Sequence, residues 1–266
     1  MVPFDEMQRR VLDGISSLPS VAVPLRSADG RVLADDVMAE RGFPLFDNSA
    51  MDGFAVRQAD VATTPTQLSI VGVSSAGHPA AVAVGPGEAI RILTGAMMVV
   101  GADTIVPVED TELLEGGDSV RILATPPAGT FIRRAGAVIQ PGEIVLSTGT
   151  QLNAGHLGVL AGLGVDRVVT SARPRVVVLA TGDELREPGS GDLSQGQIYE
   201  SNNIVLVTLL EKFGCEVRVV HCEDDVDALV GTLDELSKTS DLIISTGGVS
   251  MGGEFDALRV ATGHFQ

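Results

Sequence analysis

Between residues 173 and 246 the chain alternates two hydrophobic periods, and this alternation constrains the fold more than any other feature. Val176-Val177-Val178-Leu179-Ala180 is apolar at every position, within a strand read as Arg175–Ala180. A strand with that pattern must be covered on both faces. Asn203–Phe213 reads as a helix, started by Ser201 or Asn202 and stopped by Gly214. A second helix follows Asp225 as N-cap and carries Val226, Leu229, Val230, Leu233 and Leu236 on one stripe. Glu216–Val220 and Asp241–Ser245 are the remaining strands. Strands joined through helices run parallel, so an α/β layer is expected, with its ligand crevice beyond the strands' carboxyl ends.

The rest of the chain follows other rules. Phe4, Met7, Val11, Ile15 and Leu18 form a helical stripe that Pro19 ends, read as a packing helix. Residues 60–135 have no helical period. They show the short runs Leu68–Val73, Ala89–Leu93, Thr104–Val108 and Val120–Leu123, with a hairpin turn at Glu115-Gly116-Gly117-Asp118. A small barrel or sandwich is the expected closure. From Gln151 a helical pattern returns through Leu152, His156, Val159, Leu160 and Leu163, with Gly164 as its stop. A length of 266 residues suits two domains or three small ones.

Composition removes several classes of function. The chain has 18 Lys+Arg against 35 Asp+Glu, a formal charge of −17, with no Trp and one Tyr. A nucleic-acid groove needs the opposite balance and stacking platforms, so no nucleic-acid partner is expected. A hydrophobic share of 44% excludes general disorder. No apolar stretch approaches the ~18 residues of a membrane helix, and the start MVPFDEMQRR lacks the apolar core of a secretory signal. No membrane association is expected, and the compartment is read as cytoplasmic. Cys215 and Cys222 read as ordinary buried thiols.

Three elements could carry chemistry. Strands end in Thr94-Gly95, Thr181-Gly182 and Thr246-Gly247-Gly248, where a hydroxyl and close-approaching amides can hold an oxyanion. For the last, continuing Val249-Ser250-Met251-Gly252-Gly253, phosphate contact is favoured; no Walker lysine follows, which excludes P-loop hydrolysis. Carboxylates cluster at the same strand ends: Asp183-Glu184, Asp224-Asp225, and Glu254 with Asp256. Converging acids suit Mg²⁺ bridging to phosphate oxygens, although Asp225 reads as only a cap. The third element is the loop Pro44–Ala55, with Asp47, Asn48, Ser49 and Asp52 held between Phe46 and Phe54. It reads either as an Asx-type turn between domains or as a polar loop with two buried ends, a common way to present binding residues.

FDNSAMDGFA at 46–55, ILTGA at 92–96, ATGDEL at 180–185, SNN at 201–203 and STGGVSMG at 245–252 resemble, in this order, the molybdopterin molybdenumtransferase (MoeA) family. The resemblance implies an α/β multidomain fold. A discontinuous first domain (1–41 and 134–170) would carry an inserted β domain (42–133), followed by a parallel α/β molybdopterin-binding domain (171–266). It implies a cytoplasmic homodimer that inserts molybdenum from molybdate into adenylylated molybdopterin, using Mg²⁺ and releasing AMP. A molybdopterin adenylyltransferase is the implied protein partner. The family's catalytic positions fall on Asp52, Thr94, Glu184, Asp224 and Asp256, with Glu184 and Asp224 as metal ligands. Substrate contacts would come from Gly182, Asp183, Ser201, Asn202, Thr246, Gly247, Gly248 and Ser250.

Two departures from the family pattern bear on this reading: Val138 stands where an acidic residue is usual, and Phe255 occupies the spacing that would otherwise assign Asp256. The chain also stops before the family's Lys- and Pro-containing segment, so it is expected to bind the pterin while inserting molybdenum poorly. Other readings are a non-catalytic molybdopterin-binding or scaffold module, or a molybdopterin adenylyltransferase.

Overall fold

The computed structural model describes residues 3–223 and 225–246. The chain divides into two compact units. One comprises Met1–Asp35, Thr148–Leu157 and Asp166–Gln266, and the other Asp36–Ser147 with Gly158–Val165. The helices are α1 (Phe4–Asp13), α2 (Ala154–Gly162), α3 (Asn202–Lys212) and α4 (Val226–Ser237). None of the described helices is long and apolar enough to cross a membrane.

The second unit is built on a six-stranded mixed sheet. Its spatial order is Thr104–Pro107, Gly53–Val56, Glu88–Ile92, Thr66–Ser74, Ser119–Ile122 and Thr111–Leu113. The expected hairpin is present, with Leu113 opposite Val120. The two outermost strands are consecutive in the chain, joined only by the single turn Val108–Asp110. Three residues reach about 10 Å, whereas six flat strands would span roughly 24 Å. The sheet therefore curls on itself in the manner of the expected barrel. Period-2 alternation sorts its residues: Phe54, Val56, Leu68, Val106, Val120 and Ile122 share one cluster, while Ala55, Ile90, Ile92 and Ile105 share another with Val84, Ala96 and Val99.

Gly53–Val56 corrects the reading of residues 44–55 as loop throughout. All four residues are buried in a strand paired on both sides. Gly53 is required there, because a Cβ would lie 2.1 Å from the Val106 carbonyl oxygen.

In the first unit, three parallel strands lie in the order Glu216–Cys222, Arg175–Thr181, Leu242–Thr246. Every residue from Val176 to Thr181 is buried, as the continuous apolar run demands. α4 covers one face, setting Leu229, Leu233 and Leu236 on Val177 and Leu179. α3 packs against the same central strand and its Glu216–Cys222 neighbour. Asp225 caps α4 by accepting the Ala228 N–H at 2.9 Å, as expected. A separate antiparallel ribbon joins Ser20–Pro24 to Arg167–Ser171.

α1 departs from expectation. It ends at Asp13, before Ile15 and Leu18, and buries none of its residues; Phe4 is 78% exposed. The stripe is amphipathic, but no described element covers it. The cysteines are free and half-buried rather than fully buried, and burial pushes the Cys215 thiol up.

At the opposite end of the parallel strands from the crevice, Arg175 donates through Nε and Nη2 to both oxygens of Asp241, and its N–H adds a third bond at 2.8 Å. The side-chain bonds, then the backbone bond, hold the Asp241 carboxyl down to about 2. A carboxylate whose folded pKa lies below its unfolded value stabilises above about pH 4 and loses that contribution as pH falls toward 2. Asp241→Asn should therefore flatten the acid limb of thermal stability between those values, as read by melting curves across pH 2–5. Gly53→Ala should destabilise the β unit by on the order of 3 kcal/mol, measured as a drop in the urea midpoint; an unchanged midpoint would contradict the packing described.

Candidate functional site

The polar loop at 46–52 is pinned by backbone bonds to the turn that follows Glu88–Ile92. Ser49 N–H donates to Ala96 O, Gly95 N–H to Ser49 O, and Met98 N–H to Asp47 O. This places Asp52 against Thr94, two of the expected site residues. The Thr94 N–H and hydroxyl both donate to Asp52 Oδ1 at 2.7 Å. The backbone bond first, then the hydroxyl, holds the Asp52 carboxyl below its usual range, with Arg91 adding attraction. Both residues are exposed, so the site presents a carboxylate that ionises more readily than a free aspartate.

Asp47 ties in a second segment, accepting from Arg134 Nη1 at 2.6 Å and from the Ala135 N–H at 2.8 Å. The Ala135 bond is the larger cause of its lowered pKa. Val138, where an acid is expected, donates its N–H to Phe43 O and leaves its side chain 69% exposed. The loop's two ends differ from expectation: Phe54 is buried, but Phe46 is 39% exposed, because the Asp47, Asn48 and Ser49 bonds hold that end instead.

The crevice of the α/β unit begins at Thr181, whose hydroxyl donates to Thr246 O at 3.3 Å across two parallel strands. Gly182 then turns at φ 142°, a conformation that favours glycine. A Cβ there would strike the Glu184 carboxylate at 2.6 Å, so Glu184 folds back over the turn. Asp183 and Glu184 are exposed. The short parallel ribbon Leu185–Arg186 with Ile198–Tyr199 leads directly into Ser201 and Asn202, exposed at the start of α3. Gly182, Asp183, Glu184, Ser201, Asn202 and Thr246 thus belong to one unit, and Thr246 Oγ1 is buried without a partner. Asp224, Gly247, Gly248, Ser250, Glu254 and Asp256 lie outside the described residues. Among the described residues no three His, Cys, Asp or Glu side chains form a metal cluster.

Neither Ser201 nor Asn202 caps α3 through its side chain. Glu200, between the ribbon and the helix, does so, accepting the Asn203 N–H at 3.0 Å. Glu200 and Asn203 are both buried, 3% and 6% exposed, and each keeps a side-chain oxygen unpartnered. Sequence reasoning passed over Glu200; its signal was an acid directly before Ser-Asn-Asn.

Comparison with known proteins places these features in a family. The description "MoeA N-terminal region (domain I and II)" matches residues 2–164 and "Probable molybdopterin binding domain" matches 177–264. Molybdopterin molybdenumtransferase 2 of Mycobacterium tuberculosis is 39% identical over 99% of this chain and 65% of its own length. The molybdopterin molybdenumtransferase of Nostoc sp. is 40% identical over 86% of this chain and 53% of its own. A crystal structure of the molybdopterin biosynthesis moeA protein from Pyrococcus horikoshii OT3 superposes with TM-score 0.84 at 33% identity, covering 93% of this chain and 66% of that one. The chain spans about two-thirds, or less, of the length of these relatives.

Asp52→Ala should free both Thr94 donors, raising the hydrogen-exchange rate of the Thr94 amide by about tenfold. Asp52→Asn, which keeps an acceptor, should raise it less. Equal rates in all three proteins would contradict the pairing.

Proposed function

Because the chain belongs to the molybdopterin molybdenumtransferase (MoeA) family, we propose that it serves the insertion of molybdenum from molybdate into adenylylated molybdopterin, with release of AMP. The observation that carries this reading is the crevice itself. A parallel sheet ends in Thr181 and Thr246, a glycine turn brings the Glu184 carboxylate back over it, and Ser201-Asn202 opens a helix beside that turn.

Oxygen donors of this kind fit Mg²⁺, a hard cation. Glu184 and Asp224 would hold it, and the unpartnered Thr246 hydroxyl adds an oxygen at the same strand ends. When bound, the cation offsets the repulsion between a −17 chain and a phosphorylated substrate. Gly182, Asp183, Ser201 and Asn202 orient the substrate, and Thr246, Gly247, Gly248 and Ser250 hold its phosphate. In the other unit, Asp52 is kept ionised by Thr94 and supplies a fixed carboxylate with catalytic function; Asp256 is assigned with it.

The same reading takes the domains as 1–41 with 134–170, 42–133, and 171–266, and the protein as cytoplasmic and homodimeric, receiving substrate from a molybdopterin adenylyltransferase. The apolar side chains that α1 leaves exposed, among them Phe4, Val11 and Leu12, support a self-association surface. A non-catalytic molybdopterin-binding role is favoured by one observation, the exposed Val138 in place of an acid. AMP release on addition of molybdate and Mg²⁺ separates the two roles.

Adenylylated molybdopterin should bind at least tenfold more weakly in EDTA, and Glu184→Ala or Asp224→Ala should each weaken binding in Mg²⁺ by a similar factor. Affinity that is unchanged in EDTA and in both variants would overturn the proposal.

A further inference from the structure

Beside the crevice, on the α3 side of the strand Glu216–Cys222, lies a cleft of about 420 Å³, within the range of small-molecule sites. Its walls are apolar: Pro188, Ile204, Val207 and Val219 line it, with Ile204 61% and Val219 39% exposed. Its polar lining comprises Glu187, Glu200, Asn203, Thr208 and His221. Glu200 and Asn203 line the same cleft, both more than nine-tenths buried, and Glu200 Oε2 and Asn203 Oδ1 have no hydrogen-bond partner. The hydroxyl of Thr208, also in the lining, is already committed to Ile204 O at 2.6 Å. A buried acceptor left unpaired is costly, and a carboxylate oxygen more so than an amide. The Asn203 N–H bonds the other oxygen of the Glu200 carboxylate and so orients it.

Two buried acceptors between apolar walls call for a flat ring that presents two neighbouring N–H donors. No Lys or Arg lines the cleft to offset the repulsion between a phosphate and the Glu187 and Glu200 carboxylates. We propose that this cleft reads the 2-amino-4-oxopyrimidine edge of the pterin, Glu200 Oε2 and Asn203 Oδ1 accepting from its ring N–H and 2-amino group. The inference rests on the proposed function for the identity of the ring, since guanine carries the same edge. His221 stands at the cleft with Nε2 3.9 Å from Glu187 Oε1; it is half-exposed and leaves the acceptor pair alone.

The test uses intrinsic ligand fluorescence of free pterin and of lumazine, which has oxygen in place of the 2-amino group, titrated with the 266-residue chain. Pterin should bind at least tenfold more tightly than lumazine, and more tightly than guanosine measured by competition. Glu200→Gln keeps an oxygen for the Asn203 N–H and turns the free oxygen into an NH₂ donor, so it should abolish or invert the preference for pterin. Equal binding of the two rings, tighter binding of guanosine, no binding of either ring, or an unaltered preference in a folded Glu200→Gln protein would each overturn the assignment. If that variant fails to fold, the comparison of rings on the parent chain decides alone. Metal-dependent binding of adenylylated molybdopterin together with equal binding of pterin and lumazine removes the cleft assignment and leaves the proposed function. The reverse pattern leaves the cleft and removes the function.

Discussion

Burial of the strand Arg175–Thr181 on both faces underlies the geometry of the α/β unit. Val177 and Leu179 are covered by Leu229, Leu233 and Leu236 of α4, while Val176, Val178 and Ala180 are equally buried on the other side. A strand enclosed this way has its ladder bonds fixed on both edges, to Glu216–Cys222 and to Leu242–Thr246. Its last residue, Thr181, is therefore held rigidly beside Thr246, and the turn at Gly182 starts from a defined point. Burial of roughly 2 kcal/mol per large apolar side chain positions Glu184 although Glu184 itself is exposed.

The same constraint explains what was legible in the sequence. A run with no polar residue has one structural solution, so the parallel layer, the α4 cap at Asp225 and the stop at Gly214 could all be read. The curled β sheet was legible as short runs and one hairpin. Gly53–Val56 was not, because the polar stretch before it masks a strand of four residues whose glycine is imposed by the Val106 carbonyl. α1 shows a different limit: a stripe of Phe4, Met7 and Val11 states that one face is apolar, but not that anything covers it.

The site divides along similar lines. Asp52 and Thr94 are 42 residues apart, and nothing local in the sequence pairs them; the bond between them follows from the backbone pairing of Ser49 with the turn at Gly95 and Ala96. Family resemblance brought both residues forward without saying how they meet. Glu200 escaped notice because Ser201 and Asn202 are the usual helix caps, although the bond it makes is local, to an amide only three residues on.

The link Val108–Asp110 has a consequence for how the β unit behaves toward other chains. A sheet edge exposes unpaired amides and carbonyls, which invite strand addition by another molecule. Here both edge strands are short, and the one at Thr104–Pro107 ends in a residue with no N–H to offer. The other, Thr111–Leu113, is three residues long and carries Glu112, paired across to Arg121. Because a single turn joins the two, a strand adding at one border would have to displace the chain that forms the other, so connectivity adds to the β unit's resistance to edge-to-edge aggregation.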